Sequence, residues 1–236
     1  MAIILELSGD LRTPLVESFQ AVVRSALVSH PELAAKKVRA AVFVDRDGVL
    51  DELVPRPVSG DLESPLDPEQ VVLMPGVAPA LRHLRNSGYA IVQVSNQPAA
   101  ALGDAGIEQI EGVQARFLEL LDSAGAAPDA FRICLHHPDG VVPGLARVCE
   151  CRKPAPGMLL DAAAELDVDL RASWMIGDID TDILAGAAAG CRTIMIENPA
   201  SKQRRNGGAR PDAVVNDLAT AVELVISSDQ PQPEPR

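Results

Sequence analysis

Ala41-Val42-Phe43-Val44-Asp45-Arg46-Asp47-Gly48-Val49 is the stretch that decides the fold. Its first half is β-branched and aromatic and stops at an acid, the pattern of a buried strand that opens into a site at its carboxyl end. Asp45 and Asp47 are separated by one residue. Two carboxylates so spaced can share one cation and still divide the chemistry, one attacking while the other carries a proton. A strand-end Asp-Gly turn accounts for the same letters, and the rest of the chain decides between the two readings.

On both sides of this stretch, short apolar runs alternate with amphipathic ones. Strands are predicted at Ala41–Asp45, Ala90–Ser95, Phe131–Leu135, Trp174–Gly177, Thr193–Ile196 and Ala213–Val215. Helices are predicted at Val77–Ser87, Gly106–Ala124, Pro156–Leu166, Thr181–Ala189 and Leu218–Ile226. Gly88, Gly125 and Gly190 each follow a helical stretch, where a left-handed cap is wanted. The alternation predicts an α/β fold with a parallel sheet and helices on both faces. Ligands of such sheets sit outside the carboxyl ends of the strands, where Asp45, Ser95 and Asp178 all fall.

The chain of 236 residues is 47 % hydrophobic but only 3 % aromatic, so its core must be aliphatic. No apolar run is long enough to cross a bilayer, and the start lacks the basic region of a signal peptide. A cytoplasmic protein is the expectation. A formal charge of −12 repels nucleic acid and anionic membranes. It would also repel a phosphorylated metabolite unless the site were locally positive.

The four cysteines are too clustered for a secreted disulfide framework. Cys134-Leu135-His136 and, twelve residues on, Cys149-Glu150-Cys151 form two tight pairs of soft ligands. Such a quartet suits tetrahedral zinc in a closed, structural site. His137 stands next to His136 as an alternative ligand, and Cys191 reads as an ordinary small core residue. Directly after the quartet, Arg152-Lys153 brings two cations to a fixed point, the local positive charge that a phosphate needs. Gly177-Asp178-Ile179-Asp180-Thr181-Asp182 ends a strand in recurring acids, an oxygen-rich set suited to magnesium. Either Asp180 or Asp182 can instead cap the following helix. Ser95-Asn96-Gln97 ends another strand and offers a hydroxyl to a phosphate oxygen, or forms an ordinary turn.

In order, these motifs resemble the haloacid dehalogenase (HAD) superfamily of phosphatases over about residues 41–226. The Cys-x-His and Cys-x-Cys-Arg-Lys-Pro-x-Pro-Gly-Met segment is similar to the branch holding the D-glycero-D-manno-heptose-1,7-bisphosphate 7-phosphatases and the histidinol-phosphate phosphatases. The resemblance implies a Rossmann-like, doubly wound HAD core with a minimal cap and a zinc-bound loop near the active site. It implies that Asp45 attacks phosphorus and that Asp47 protonates the leaving oxygen and then deprotonates water. Asp45, the Asp47 carbonyl and Asp178 would hold magnesium. Ser95 and Lys153 would bind the transferring phosphoryl group, and Arg152, with Asn96, the substrate. The implied substrate is a sugar phosphate, D-glycero-D-manno-heptose 1,7-bisphosphate cleaved at its 7-phosphate, with histidinol phosphate as the alternative.

The chain departs from that branch where substrate is recognised. Pro98-Ala99-Ala100-Ala101-Leu102-Gly103 carries no arginine, Ile179 replaces a lysine, and Glu52–Met74 differs from the usual substrate loop. One compensation is the loop Asn198–Arg210, with Lys202, Arg204, Arg205 and Arg210. It either reaches a second anionic group or is simply solvated. Altered recognition leaves open a catalytically retired, zinc-stapled binding protein, and Cys149-Glu150-Cys151 leaves open a redox sensor. Residues 1–40 read as a helical extension with an apolar stripe of Leu15, Phe19, Val23 and Ala26 or Leu27. That stripe packs on the domain or serves self-association. Residues 227–236, rich in proline, read as a disordered tail.

Overall fold

The computed structural model describes residues 40–57 and 59–228. The expectations for the N-terminal extension and for most of the tail therefore lie outside the described residues. Among those residues, a parallel sheet is built from β1 (Ala41–Val44), β4 (Ala90–Asn96), β5 (Ala130–Cys134), β6 (Trp174–Gly177), β7 (Arg192–Ile196) and β8 (Ala213–Val215). Their order is β5-β4-β1-β6-β7-β8, every neighbouring pair parallel. β1 lies in the middle, with Val42 opposite Ile91 on one side and Trp174 on the other.

Helices cover both faces, which is why the central strands β1 and β6 are apolar along their length instead of alternating. Val42 and Val44 face a core with α1 (Val77–Asn86), α3 (Ile107–Ser123) and α6 (Leu218–Ser228). Ala41 and Phe43 face the other core, with α4 (Gly157–Leu166) and α5 (Asp180–Ala189). All six predicted strands and all five predicted long helices form, with ends moved by a residue or two. The largest correction lies at the tail, where α6 continues through Ser227 and Ser228.

Two features escaped the periodicity. α2 (Ala99–Leu102) buries Ala99, Ala100 and Ala101. A hairpin of β2 (Val54–Pro55) and β3 (Leu62–Glu63) joins β1 to the turn at Pro68–Gln70. This hairpin is the minimal cap.

The strand order sets the place of the site. From β1 the chain moves outward to β4 and β5, then returns to β6 and moves the other way. The reversal falls between β1 and β6, where a crevice opens at the strands' carboxyl ends. Asp45 leaves β1 and Asp178 leaves β6 at that crevice, and the Asp45 amide donates to the Ile176 carbonyl at 3.0 Å. Two glycines allow the close approach. Gly48 has a φ of +92°, and a Cβ there would collide with the Asp178 carboxylate. At Gly177 a Cβ would fall on the Asp182 side chain.

Candidate active site

Lys153 is the hub of the site. Its side chain is buried, and Nζ lies 2.8 Å from Asp45 Oδ1, 2.6 Å from Asp182 Oδ1 and 2.9 Å from the Val94 carbonyl. Burial works against the ammonium, but Asp182 and Asp45 outweigh it and raise the Lys153 pKa. The lysine therefore stays charged at any working pH.

Its backbone is held by Asn96. The Lys153 amide donates to Asn96 Oδ1 at 3.1 Å, and Asn96 Nδ2 donates to the Lys153 carbonyl at 3.0 Å. Asn96, expected among the substrate-binding residues, has its side-chain amide on the Lys153 backbone. Arg152 points toward the Cys/His segment, where Nη1 donates to the His136 carbonyl at 3.3 Å.

Asp47 is held by a different set of donors. Arg46 donates to its Oδ1 from Nη2 at 2.8 Å and from Nε at 3.2 Å. Ser95 Oγ and Gln97 Nε2 donate to its Oδ2 at 3.0 and 2.5 Å. Burial alone would raise the Asp47 pKa, but the Arg46 charge and these bonds hold it below the ordinary carboxylate range. Arg46 is fully buried beside Phe117, with Nη1 on Gln114 Oε1 at 3.0 Å and Nε 3.4 Å from Asp51.

Asp45, Asp178 and Asp182 bring carboxylate oxygens within 4.8 Å of one another. Asp182 is already committed: Oδ1 faces Lys153, and Oδ2 accepts from the amides of Asp178 and Ile179, both at 3.2 Å, capping α5. Of the two candidate caps, Asp182 is therefore the one used. Asp180 instead accepts from the amides of Asn206, Gly207 and Ala209 at 2.7, 3.3 and 2.9 Å.

Asp178 Oδ2 takes the Ser201 hydroxyl, while its Oδ1 is buried with no hydrogen-bond partner among the described residues. Burial, then Asp182, push Asp45 up to about 8, Lys153 only partly offsetting them; burial and Asp182 likewise push Asp178 up to about 6. Crowded, orphaned oxygens of this kind fit a hard divalent cation such as magnesium. Asp45 and Asp178 are the side chains with room for it.

The second cluster is soft. Cys134 Sγ lies 3.6 Å from both Cys149 Sγ and His136 Nδ1. Cys151 Sγ lies 3.3 Å from Cys134 Sγ, 3.2 Å from Cys149 Sγ and 3.3 Å from His136 Nδ1. The cysteines are free thiols. A zinc tetrahedron with bonds near ~2.3 Å has edges near ~3.8 Å, so the arrangement fits zinc after slight expansion. Burial, with Arg147 nearby, lowers the His136 pKa and keeps the ring neutral, as a ligand must be. His137 turns away, its Nδ1 accepting from the Asp139 amide at 3.1 Å.

Sequence reasoning passed over Arg46 and Gln97 as site residues; Asp182 was in the acid set, and the structure adds its ion pair with Lys153. Gln97 had a signal, because positions 95 and 97 share one side of an extended chain. A side cavity of about 350 Å³ lined by Arg132, Glu150, Cys151 and Met158 lies away from the acid cluster.

The buried lysine and the carboxylates around it gather where the strand order reverses, the place where ligands of such sheets bind. Comparison with known proteins supplies the class. A HAD-hydrolase-like family model matches residues 150–221. The D-glycero-beta-D-manno-heptose-1,7-bisphosphate 7-phosphatase of Yersinia pestis is 37 % identical over 179 residues, 76 % of this chain and 91 % of that one. The corresponding enzyme of Thermosynechococcus vestitus is 38 % identical over 202 residues, 82 % of this chain and 99 % of that one. The crystal structure of D,D-heptose 1,7-bisphosphate phosphatase from B. bronchiseptica, complexed with magnesium and phosphate, has a TM-score of 0.65 and 28 % identity. That match covers 80 % of this chain and 99 % of the other. The chain belongs to the HAD family of phosphatases, in the group of the heptose-bisphosphate 7-phosphatases, and is a phosphoric monoester hydrolase. No described helix is long and apolar enough to cross a membrane.

Proposed function

We propose that this hydrolase is a magnesium-dependent cytoplasmic phosphatase that cleaves a small sugar phosphate through an aspartyl-phosphate on Asp45. The 7-phosphate of D-glycero-D-manno-heptose 1,7-bisphosphate is the substrate that its relatives support. The observation that carries the reading is the Asp45 carboxylate, at the switch point of the sheet and 2.8 Å from a buried ammonium.

Phosphate monoesters resist hydrolysis so strongly that rate enhancements can approach ~10²¹. Most of this must come from in-line positioning and from cations on the equatorial oxygens. Magnesium, bound by Asp45, the Asp47 carbonyl and Asp178, would supply charge neutralisation and orient the phosphoryl group. Lys153 holds another equatorial oxygen, with Ser95 near it, while Arg152 serves substrate recognition.

Asp45 donates an electron pair to phosphorus as the ester P–O bond breaks, and Asp47 gives its proton to the leaving sugar oxygen. Asp47 is anionic in the free site, so it first takes a proton from solvent as the approaching phosphate dianion raises its proton affinity, and this is the proton that goes to the leaving oxygen. Water then attacks the phosphorus, Asp47 takes its proton, and Asp45 leaves as a carboxylate. The donors around Asp47 favour its anionic form, which suits this second half. In this reading the quartet Cys134, His136, Cys149 and Cys151 binds structural zinc, which clamps the loop that delivers Lys153.

Phosphate release from heptose 1,7-bisphosphate, hexose phosphates and histidinol phosphate, with magnesium or with a chelator, tests the proposal. The expected result is the highest kcat/KM on the heptose bisphosphate and loss of turnover in chelator. Preference for histidinol phosphate would reject the substrate, and turnover indifferent to chelation would reject the metal.

A further inference from the structure

The basic loop after β7 offers four cations, and the structure separates their roles. Arg205 is committed to architecture: Nε donates to the Asp178 carbonyl at 2.6 Å, and Nη2 to the carbonyls of Ile196 and Asn198 at 2.8 and 3.2 Å. Lys202 and Arg210 are exposed. Arg204 is half-buried, and its Nη1 is buried without a hydrogen-bond partner among the described residues. Its charge faces Asp178, Asp45, Glu63 and Asp47. Glu63 belongs to the β2–β3 hairpin, so Arg204 feels the charge of both the acid cluster and that hairpin.

The loop carrying it is fixed to the catalytic rim. Asn198 Nδ2 donates to the Gly48 carbonyl at 2.8 Å, the Ser201 hydroxyl donates to Asp178, and Asp180 accepts from amides of Asn206, Gly207 and Ala209. A guanidinium held this way, with a desolvated N–H lacking an acceptor, is prepared for an anionic oxygen that is not part of the protein. The site also needs the charge. The carboxylates of Asp45, Asp47, Asp51, Asp178 and Asp182 outnumber the buried cations of Arg46 and Lys153. Nearby, Ile179 and the alanines of α2 supply no cation.

We propose that Arg204 is a substrate-binding residue whose guanidinium holds phosphate oxygens at the mouth of the site, approaching from β7 as Lys153 approaches from β5. This rests on the phosphatase reading above. The oxygens belong either to the transferring phosphoryl group or to a second phosphate of the same substrate.

The test compares wild type with Arg204→Gln, Arg204→Lys and Lys202→Ala. It measures kcat and KM on a sugar bisphosphate and on the matching monophosphate, inhibition by inorganic phosphate, and the phosphate-induced rise in Tm with magnesium present. Arg204→Gln is expected to raise KM about tenfold or more with a smaller change in kcat. Arg204→Lys recovers part of the loss, and Lys202→Ala stays within about twofold. A rise confined to the bisphosphate assigns Arg204 to the second phosphate. A rise on both esters, with weaker inhibition by inorganic phosphate, assigns it to the transferring group. If Arg204→Gln stays within about twofold of wild type on both esters and in phosphate inhibition, or if Lys202→Ala is as harmful, the proposal is overturned. Wild type that hydrolyses no phosphate ester would defeat the phosphatase reading alone. The phosphate-induced shift in Tm, and its loss in Arg204→Gln, would still decide the role of Arg204.

Discussion

The floor of the site and its rim are held together by different means. On the floor, buried side chains bond to one another: Lys153 to Asp45 and Asp182, Arg46, Ser95 and Gln97 to Asp47. At the rim, side chains hold backbone: Asp180 holds three amides of the 198–210 loop, and Arg205 holds three carbonyls. A cross-bonded floor at strand ends fixes the chemistry to fractions of an ångström. A rim of pinned loops can change its recognising residues without disturbing what lies below. In this chain the floor carries the acids and the lysine, while residues 98–103 and Ile179 bring no cation.

Damage to the floor should therefore cost far more than damage to the rim. Lys153→Ala removes the cation that the proposed mechanism sets on the phosphoryl group and leaves Asp45 and Asp182 buried without their ion-pair partner. A fall in kcat of about 10³-fold is expected, with a loss of about 3–5 kcal/mol in urea unfolding. A loss below tenfold, comparable to rim variants, would break the distinction.

The loop that ends in Cys149 and Cys151, with the zinc proposed for it, belongs with the floor, because it leads directly into Lys153. Cys149→Ser should lower zinc content and Tm together, since such sites contribute on the order of 10 kcal/mol of binding free energy. Elemental analysis and a melting curve check this. Unchanged Tm and turnover in metal-free protein would show that the loop stands alone.

A smaller effect concerns pH. Burial first, and the neighbouring Asp182 next, push Asp45 up to about 8 from 3.8. Between those values the folded, metal-free protein binds a proton that the unfolded chain does not, so its stability falls as pH rises through that window. Magnesium displaces the proton, so the rise in Tm on adding magnesium should be larger at pH 9 than at pH 6. Calorimetry in buffers of different ionisation heat should detect proton release at pH 7. Equal magnesium effects at both pH values would contradict this.

The smallest effect is at the rim. Asp180→Ala releases three amides of the basic loop while leaving the floor intact. It should raise KM a few-fold with kcat nearly constant, at a stability cost of about 1 kcal/mol. A kcat loss as large as that of Lys153→Ala would erase the contrast between floor and rim.

The sheet was legible because strands buried on both faces are dominated by apolar residues, and short runs of this kind recur between Ala41 and Val215. The hairpin was not, because strands of two residues, one of them Pro55, carry no period. Among site residues, the quartet and the acids declared themselves by spacing. Arg46 did not: its partners Gln114 and Asp47 meet only after α3 packs against β1, and a lone arginine between two aspartates has no pattern of its own. The basic loop was visible as composition. Which of its cations is available depends on where the backbone carbonyls fall, and that is decided by tertiary structure.

The most direct measurement is mass spectrometry of acid-quenched protein after brief exposure to substrate and magnesium, using wild type and Asp47→Asn. One phosphoryl group on the peptide containing Asp45, accumulating in Asp47→Asn because water is no longer activated, is the expected outcome. An unmodified Asp45 in both proteins while wild type turns over, or residual turnover in Asp45→Asn after deamidation is excluded, would contradict it.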